Sequence, residues 1–321
     1  MPTRLAIALW TLILVSGPQT AQAICGHYSA ATPAVMRLHA AMAHGRFIAY
    51  GPTALKVVNG RPSFADPKSI RADLEVLRSR FDSLITYGAL NGTEAIPASA
   101  TALGFRALII GVWNPFDSAE LNAALAAARN NPKLVVGISL GNEMLFFHRH
   151  SAGELVKLLD QVHAQAPLVA LSTTEPFHMF DEPALRPVLE RLDFLLANVH
   201  PIFQPWFRTA TDGDAAQFVV NVAVKLAADY CGPILIKETG IPTAPQASGF
   251  TEQRQASFYQ ELARRFPAAG GRAFAYFSAF DAPWRLQDAG PQPAPEEAHW
   301  GLYDENRRPK QVVARIAPLA D

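Results

Sequence analysis

Leu134-Val135-Val136-Gly137-Ile138-Ser139-Leu140-Gly141-Asn142-Glu143 decides the fold of this chain. An aliphatic run stops at a glycine, and a polar pair follows it directly. A short β-branched run of this kind reads as a strand buried on both faces of a parallel sheet. Further along, Pro233-Ile234-Leu235-Ile236 leads in the same way into Lys237-Glu238-Thr239-Gly240-Ile241-Pro242. Glu143 and Glu238 thus stand just past the ends of buried strands, where packing gives no reason for a carboxylate. Strand alternation points Lys237 to the face opposite Glu238.

Working outward, the same alternation of short apolar strand and amphipathic helix fills the chain. Strands are predicted at Arg46–Tyr50, Asp82–Tyr87, Arg106–Val112, Leu134–Leu140, Leu168–Thr173, Phe194–Val199, Ile234–Lys237 and Ala273–Ala279. Helices are predicted at Pro67–Ser79, Thr93–Leu103, Ser118–Arg129, Ala152–Gln165, Glu182–Leu192, Ala215–Asp229 and Glu252–Phe266, with a closing piece near Pro309–Ala317. Ile70, Leu74 and Leu77 show the spacing of a core-facing stripe. About eight strand–helix units without a linker predict an α/β fold, a single-domain (β/α)8 TIM barrel, rather than an open doubly wound sheet. No Gly-x-Gly-x-x-Gly follows the first strand and no phosphate-cradling glycine loop occurs, so no nucleotide cofactor is expected.

The N-terminus reads differently. Arg4, the apolar stretch Leu5–Val15 and the small-x-small Ala21-Gln22-Ala23 have the form of a signal peptide over residues 1–23. The stretch is short for a membrane span and ends at Gly17-Pro18, so removal is favoured over an uncleaved anchor. Ile24 sits where a lipidation site at Cys25 wants a small residue. The expectation is an exported protein, periplasmic or secreted, whose folded domain is 24–321 and spans no membrane after cleavage. Lys+Arg and Asp+Glu number 28 each, which argues against nucleic acid or an anionic surface as partner and suits a neutral polymer. Cys25 and Cys231 are the two cysteines. In an exported chain they either pair or remain two free thiols.

In such barrels the strands' C-terminal ends supply the chemistry. Here those ends carry Tyr50; Thr86-Tyr87; Trp113-Asn114; Asn142-Glu143; Thr174-Glu175; Asn198 and His200; Glu238; and Phe280-Asp281 with Trp284. Two carboxyl groups facing each other across a barrel mouth meet the need of glycoside hydrolysis. One protonates the leaving oxygen; the other attacks the sugar or activates water. Aromatic side chains beside hydrogen-bonding groups suit a sugar ring, which offers apolar C–H faces and hydroxyls.

The motifs also resemble a known family. Asn142-Glu143 and Glu238 resemble the clan of retaining (β/α)8 glycosidases. Within it, Glu238-Thr239-Gly240-Ile241-Pro242, Asn198-Val199-His200-Pro201, Phe280-Asp281-Ala282-Pro283-Trp284-Arg285 and His299-Trp300-Gly301-Leu302-Tyr303 look like the bacterial branch of glycoside hydrolase family 17. The resemblance runs from about Phe47 to Asp304 and implies a hydrolase or transglucosylase of β-1,3-glucans. It implies Glu143 as general acid/base and Glu238 as nucleophile, with Asn142 reaching a hydroxyl near the reacting carbon. The chain departs from the family pattern at Ile241, where relatives often carry Trp, at Ser278, where some carry Glu, and at His200, where Tyr is frequent.

Further substrate contacts are expected from Glu175, His200, Tyr87, Tyr50, Asp281, Trp284 and Glu297. Each has a structural alternative: a salt bridge for Glu175, core packing for Trp284, a buried structural histidine for His200. Glu297 and His299 either close the last loop over the site or fix it, and the Pro-rich Leu286–Ala298 loop is a candidate for blocking one end. His148 and His150 lack a partner carboxylate at ligand spacing, so no metal is expected. The partner is a β-glucan poly- or oligosaccharide. The alternatives are a catalytically silent glucan-binding envelope protein on the same barrel, and a retaining glycosidase of another β-linked sugar. Oligomeric state has no signature in the sequence.

Overall fold

A computed structural model describes residues 23–26, 32–267, 271–288 and 294–319. The predicted signal peptide, apart from Ala23, lies outside the described residues, as does 289–293 of the Pro-rich loop. Eight strands form a closed, all-parallel barrel: β1 (Phe47–Ala49), β2 (Ser83–Ile85), β3 (Ala107–Val112), β4 (Val135–Asn142), β5 (Ala170–Pro176), β6 (Leu195–Asn198), β7 (Ile234–Glu238) and β8 (Arg272–Tyr276). Each pairs with its sequence neighbour, and β1 closes on β8. The predicted barrel is therefore the observed one, and all eight strands lie within or overlap their predicted ranges.

Alternation along the strands sorts the core into two parts. Phe47, Ile85, Ala107, Ile109, Val136, Ala170, Phe194, Leu196, Leu235, Ala273 and Ala275 fill the barrel interior. Their sequence neighbours Ile48, Leu84, Leu108, Val135, Leu171, Leu195, Ile234 and Ile236 face the surrounding helices. Gly137 is required by this packing: a Cβ there would stand 2.9 Å from Phe194 Cζ.

The helices are α1 (Pro33–His44), α2 (Pro67–Arg78), α3 (Ile96–Ala102), α4 (Ser118–Asn130), α5 (Ala152–Gln165), α6 (Arg186–Leu189), α7 (Asp212–Asp229), α8 (Glu252–Arg265) and α9 (Arg285–Asp288). Capping residues fix several starts. Asp66 accepts from Ser69 N–H ahead of α2, and Ser151 with Glu154, and Thr211 with Asp214, form capping boxes at α5 and α7. The predicted Glu182–Leu192 helix is shorter, a 3-10 turn at Pro183–Leu185 followed by α6. Pro183 and Pro187 both withhold an N–H from it. Helix α1 was not anticipated. Its buried Ala34, Val35, Leu38, Ala41 and Met42 join the interior cluster, so it closes the barrel floor.

Two ties hold the chain's ends. Ile24 exchanges backbone hydrogen bonds with Asp229 and Cys231, and Cys25 is disulfide-bonded to Cys231 across 206 residues. At the other end Arg307 Nε donates to Asp73 Oδ1 at 2.7 Å. Among the described residues no helix is long and apolar enough to cross a membrane.

Candidate active site

Both predicted catalytic carboxylates follow irregularities in the barrel. Between β4 and β5 the register shifts, Ser139 facing Ser172 but Asn142 facing Thr174, and Glu143 then takes φ +52°. Between β6 and β7 it shifts again, Ala197 facing Ile236 but Asn198 facing Glu238. A bulge places one extra residue on one strand and re-aims the side chains beside it. The β7 shift corrects the reading of Lys237. Counting from Leu235, alternation sends Lys237 into the barrel interior rather than away from it, and the bulge turns Glu238 to the same side. Lys237 Nζ lies 3.4 Å from Glu238 Oε1 and donates to Asn142 Oδ1 at 2.5 Å.

The two carboxyl groups live in different fields. Glu143 Oε1 accepts from Asn198 Nδ2 at 2.8 Å. Burial, and then the charge of Glu238, push the Glu143 carboxyl up from its ordinary range, while Asn198, His200 and Lys237 pull back without prevailing. For Glu238 burial also pushes upward, but Lys237, His200 and Arg285 outweigh it and hold the carboxyl at about 2. His200 Nε2 stands 3.4 Å from Glu238 Oε2. The surroundings of Glu143 thus favour its acid form relative to an ordinary carboxyl, and those of Glu238 favour its anion.

Around this pair the structure gathers Tyr87, His200, Phe277 and Trp300. The His200 ring centre is 5.5 Å from that of Phe277 and 5.1 Å from that of Trp300. Lys237 Nζ lies 4.4 Å from the Tyr87 ring centre. Burial, then the charge of Glu238, push the Tyr87 hydroxyl well above its ordinary range. Tyr87 Oη, Asn198 Oδ1, His200 Nδ1, Glu238 Oε1 and Trp300 Nε1 are buried atoms with no hydrogen bond of normal geometry among the described residues. Buried polar atoms are ordinarily paired, so such a cluster marks a place built to bind something polar.

Other predicted contacts serve the scaffold. Tyr50 is fully buried and donates to Asp73 Oδ2 at 2.9 Å, so its hydroxyl is committed to the carboxylate that also holds Arg307. Glu175 is fully buried too, and its oxygens accept from Leu145 N–H at 2.9 Å and Phe146 N–H at 3.1 Å. It braces the turn that carries Glu143. Burial pushes its carboxyl up to about 7 against those two hydrogen bonds. Asp281 accepts from Lys310 Nζ at 2.7 Å and from Gly301 N–H at 2.8 Å, fixing the last loop. Trp284 is half-buried under the Arg285 guanidinium, which reaches Glu297 Oε2 at 3.4 Å and also lies 5.0 Å from the Phe277 ring centre. Glu297 therefore secures Arg285, which in turn acts on Glu238. Ile241, at the departure from the family pattern, is fully buried.

Sequence reasoning passed over Lys237, Arg285 and Trp300 as parts of the site, and Glu120 altogether. The Glu120 carboxylate accepts from Ala89, Trp113 and Asn114 N–H groups at 3.1, 2.9 and 2.9 Å, joining the loops after β2 and β3. Its spacing within α4 offered no signal. Among the described residues no group of three or more His, Cys, Asp or Glu could hold a metal ion. A cavity of about 580 Å³ lies elsewhere, between Arg208–Gly213 and α8. Its Arg254 is paired with Asp212 and its Arg265 with Glu261.

Known proteins resemble this chain in sequence or in fold. A glucan 1,3-β-glucosidase of Arthroderma benhamiae is 27% identical over 267 residues, 76% of this chain and 84% of that protein. An active-site mutant of Rhizomucor miehei β-1,3-glucanosyltransferase, solved with laminaritriose, superposes with a TM-score of 0.65 at 23% identity, over 85% of this chain and 97% of that one. An endo-laminarinase from Formosa gives a TM-score of 0.68 at 20% identity, over 84% and 86%. The profile of the BtgE/BtgC glycoside hydrolase domain matches residues 48–301, from β1 to the loop beyond Trp300 that closes the aromatic cluster, and the chain belongs to that family of glycoside hydrolases.

Proposed function

We propose that this glycoside hydrolase is a retaining enzyme of β-1,3-glucan, with Glu143 as acid/base and Glu238 as nucleophile. One observation carries the reading: two carboxyl groups linked through Asn198, one pushed up and one held at about 2. Environments that drive two carboxyls apart assign the acid and the base. Glu238 attacks the anomeric carbon while Glu143 gives its proton to the departing glycosidic oxygen. The bonding pair leaves with that oxygen, and an ester to Glu238 remains. Glu143, now a carboxylate, takes the proton of an incoming hydroxyl as that oxygen displaces Glu238. Water as the acceptor gives hydrolysis; a second sugar gives transfer. The unpaired Tyr87, Asn198, His200 and Trp300 atoms, with the free Nδ2 of Asn142, are the groups we assign to sugar hydroxyls.

The β-1,3 linkage is supported by what the Arthroderma and Rhizomucor proteins are described as acting on. The motifs resemble those of the bacterial branch of family 17, but the Arthroderma relative is fungal and does not support that branch. The signal-like N-terminus and the Cys25–Cys231 bond favour export to an oxidising compartment. The test is incubation with linear β-1,3-linked gluco-oligosaccharides, resolving products by size and anomer over time. Shorter products appearing first as the β-anomer support retaining hydrolysis, and products longer than the substrate support transfer. Loss of both in Glu238→Ala places the reaction on Glu238. If the wild type leaves these oligosaccharides unchanged but cleaves another β-glucan, the linkage assignment fails. If it acts on no β-glucan yet binds one, the silent binding protein is the correct reading.

A further inference from the structure

Lys237 is 1% exposed and follows Leu235 on the inward face of β7. An ammonium so placed is costly unless its charge and its donors are all engaged. The polar and aromatic groups that act on it come from several strands. Glu238 comes from its own strand, Asn142 and Glu143 from β4, Glu175 from β5, and the Tyr87 ring from the end of β2. His200 and Arg285 face Glu238 from the loops after β6 and β8.

We propose that Lys237 is a positioning residue of the catalytic pair, its ammonium locking the Asn142 amide and the Glu238 carboxylate into one arrangement across the barrel. This rests on the retaining reading above, and adds to it a residue that touches neither sugar nor leaving group. An ammonium only donates, so its partner on Asn142 must be Oδ1, and Nδ2 is left to face substrate. In the second half of the reaction the acceptor oxygen bonds to the anomeric carbon, the bond to Glu238 breaks, and its electron pair returns to the carboxylate. The acceptor's proton passes to Glu143. A fixed cation 3.4 Å from Glu238 Oε1 stabilises the carboxylate as it forms and needs no reorganisation to do so. Burial pulls the Lys237 ammonium below its ordinary range while Glu238, Glu143 and Glu175 push back.

The experiment compares wild type, Lys237→Met, Lys237→Gln and Lys237→Arg, with folding checked by circular dichroism. The first readout needs no turnover: the Glu238 carboxyl is titrated by carbon-13 NMR. Its midpoint in wild type lies near the bottom of the carboxylate range, and it rises by about one to three units in the Met and Gln variants, as loss of an adjacent opposite charge requires. The second is the pH profile of kcat/KM on an aryl β-glucoside and on β-1,3-linked gluco-oligosaccharides. The acidic limb moves up with the Glu238 midpoint, and kcat falls on the order of a hundredfold. Lys237→Arg keeps the wild-type acidic limb. An unmoved Glu238 midpoint in either folded neutral variant overturns the proposal. If neither folds, a wild-type Glu238 titrating in the ordinary carboxylate range overturns it equally. If wild type turns over no β-glucan while the midpoint still shifts, the retaining reading falls and the hold of Lys237 on Glu238 stands.

Discussion

Asn198→Ala removes the hydrogen bond that restrains Glu143, the proposed acid, and the free-enzyme limb of a pH profile reads that loss apart from any lost sugar contact. Asn198 Nδ2 donates to Glu143 Oε1 at 2.8 Å, and its Oδ1 has no partner, so the substitution removes one interaction from Glu143. That bond favours the charged form: a hydrogen bond to an ionised group is worth about 1.5–3 kcal/mol, and one between neutral groups about 0.5–1.5 kcal/mol. The difference, about 1 kcal/mol, amounts to somewhat under one pKa unit. Glu143 is already pushed up by burial and by Glu238, so losing Asn198 moves it further in the same direction. As general acid it must be protonated in the free enzyme, so the alkaline limb of kcat/KM moves to higher pH by roughly 0.7 unit. The assay is the pH profile of oligosaccharide cleavage, and Asn198→Asp is a useful second variant. A new carboxylate there raises Glu143 more strongly still. An alkaline limb that stays fixed or moves downward in Asn198→Ala would show that Glu143 is not the acid whose ionisation limits the reaction.

Two further outcomes concern stability. Glu175 titrates at about 7 when folded against an ordinary value of 4.5, so the folded state binds its proton more tightly than the unfolded chain. Stability from this group is present below pH 4.5 and lost as pH rises through 7, on the order of 3 kcal/mol in all. Urea unfolding between pH 4.5 and 8 should show that decline in wild type and much less of it in Glu175→Gln; parallel curves contradict the account. Gly137→Ala sets a methyl 2.9 Å from Phe194 Cζ inside a filled barrel and costs about 1–3 kcal/mol by overpacking. The urea midpoint falls accordingly, and Phe194→Leu in the same chain restores part of it; an unchanged midpoint means the interior has more room than the structure gives it.

Much of the architecture was written locally. Short aliphatic runs with polar or aromatic residues at their ends predicted all eight strands, because a strand buried on both faces needs little more than apolar side chains and an end. Amphipathic stripes such as Ile70, Leu74 and Leu77, all buried in the structure, located the helices in a similar way. Helix α1 escaped because its role, sealing the barrel floor with Val35 and Leu38, depends on a barrel already closed. The predicted Glu182–Leu192 helix is cut to residues 183–189 because Pro183 and Pro187 each withhold an N–H.

The carboxyl pair was legible because Glu143 and Glu238 have no packing purpose at strand ends. The identity of their neighbours was not. Whether Tyr50, Glu175 and Asp281 face a ligand or the scaffold depends on which donors lie opposite them, and those come from residues far away in sequence: Asp73, the Leu145–Phe146 amides, Lys310. Lys237 was turned the wrong way because alternation was counted from Glu238, and only the pairing of β6 with β7 reveals the extra residue between them. Sequence by itself determined the barrel, the two carboxylates and the cysteines available to pair. The tertiary structure alone decided that Cys25 and Cys231 do pair, and which carboxyl is pushed up and which held down. Those depend on through-space distances and on burial, and a linear order of residues encodes neither until the barrel has closed.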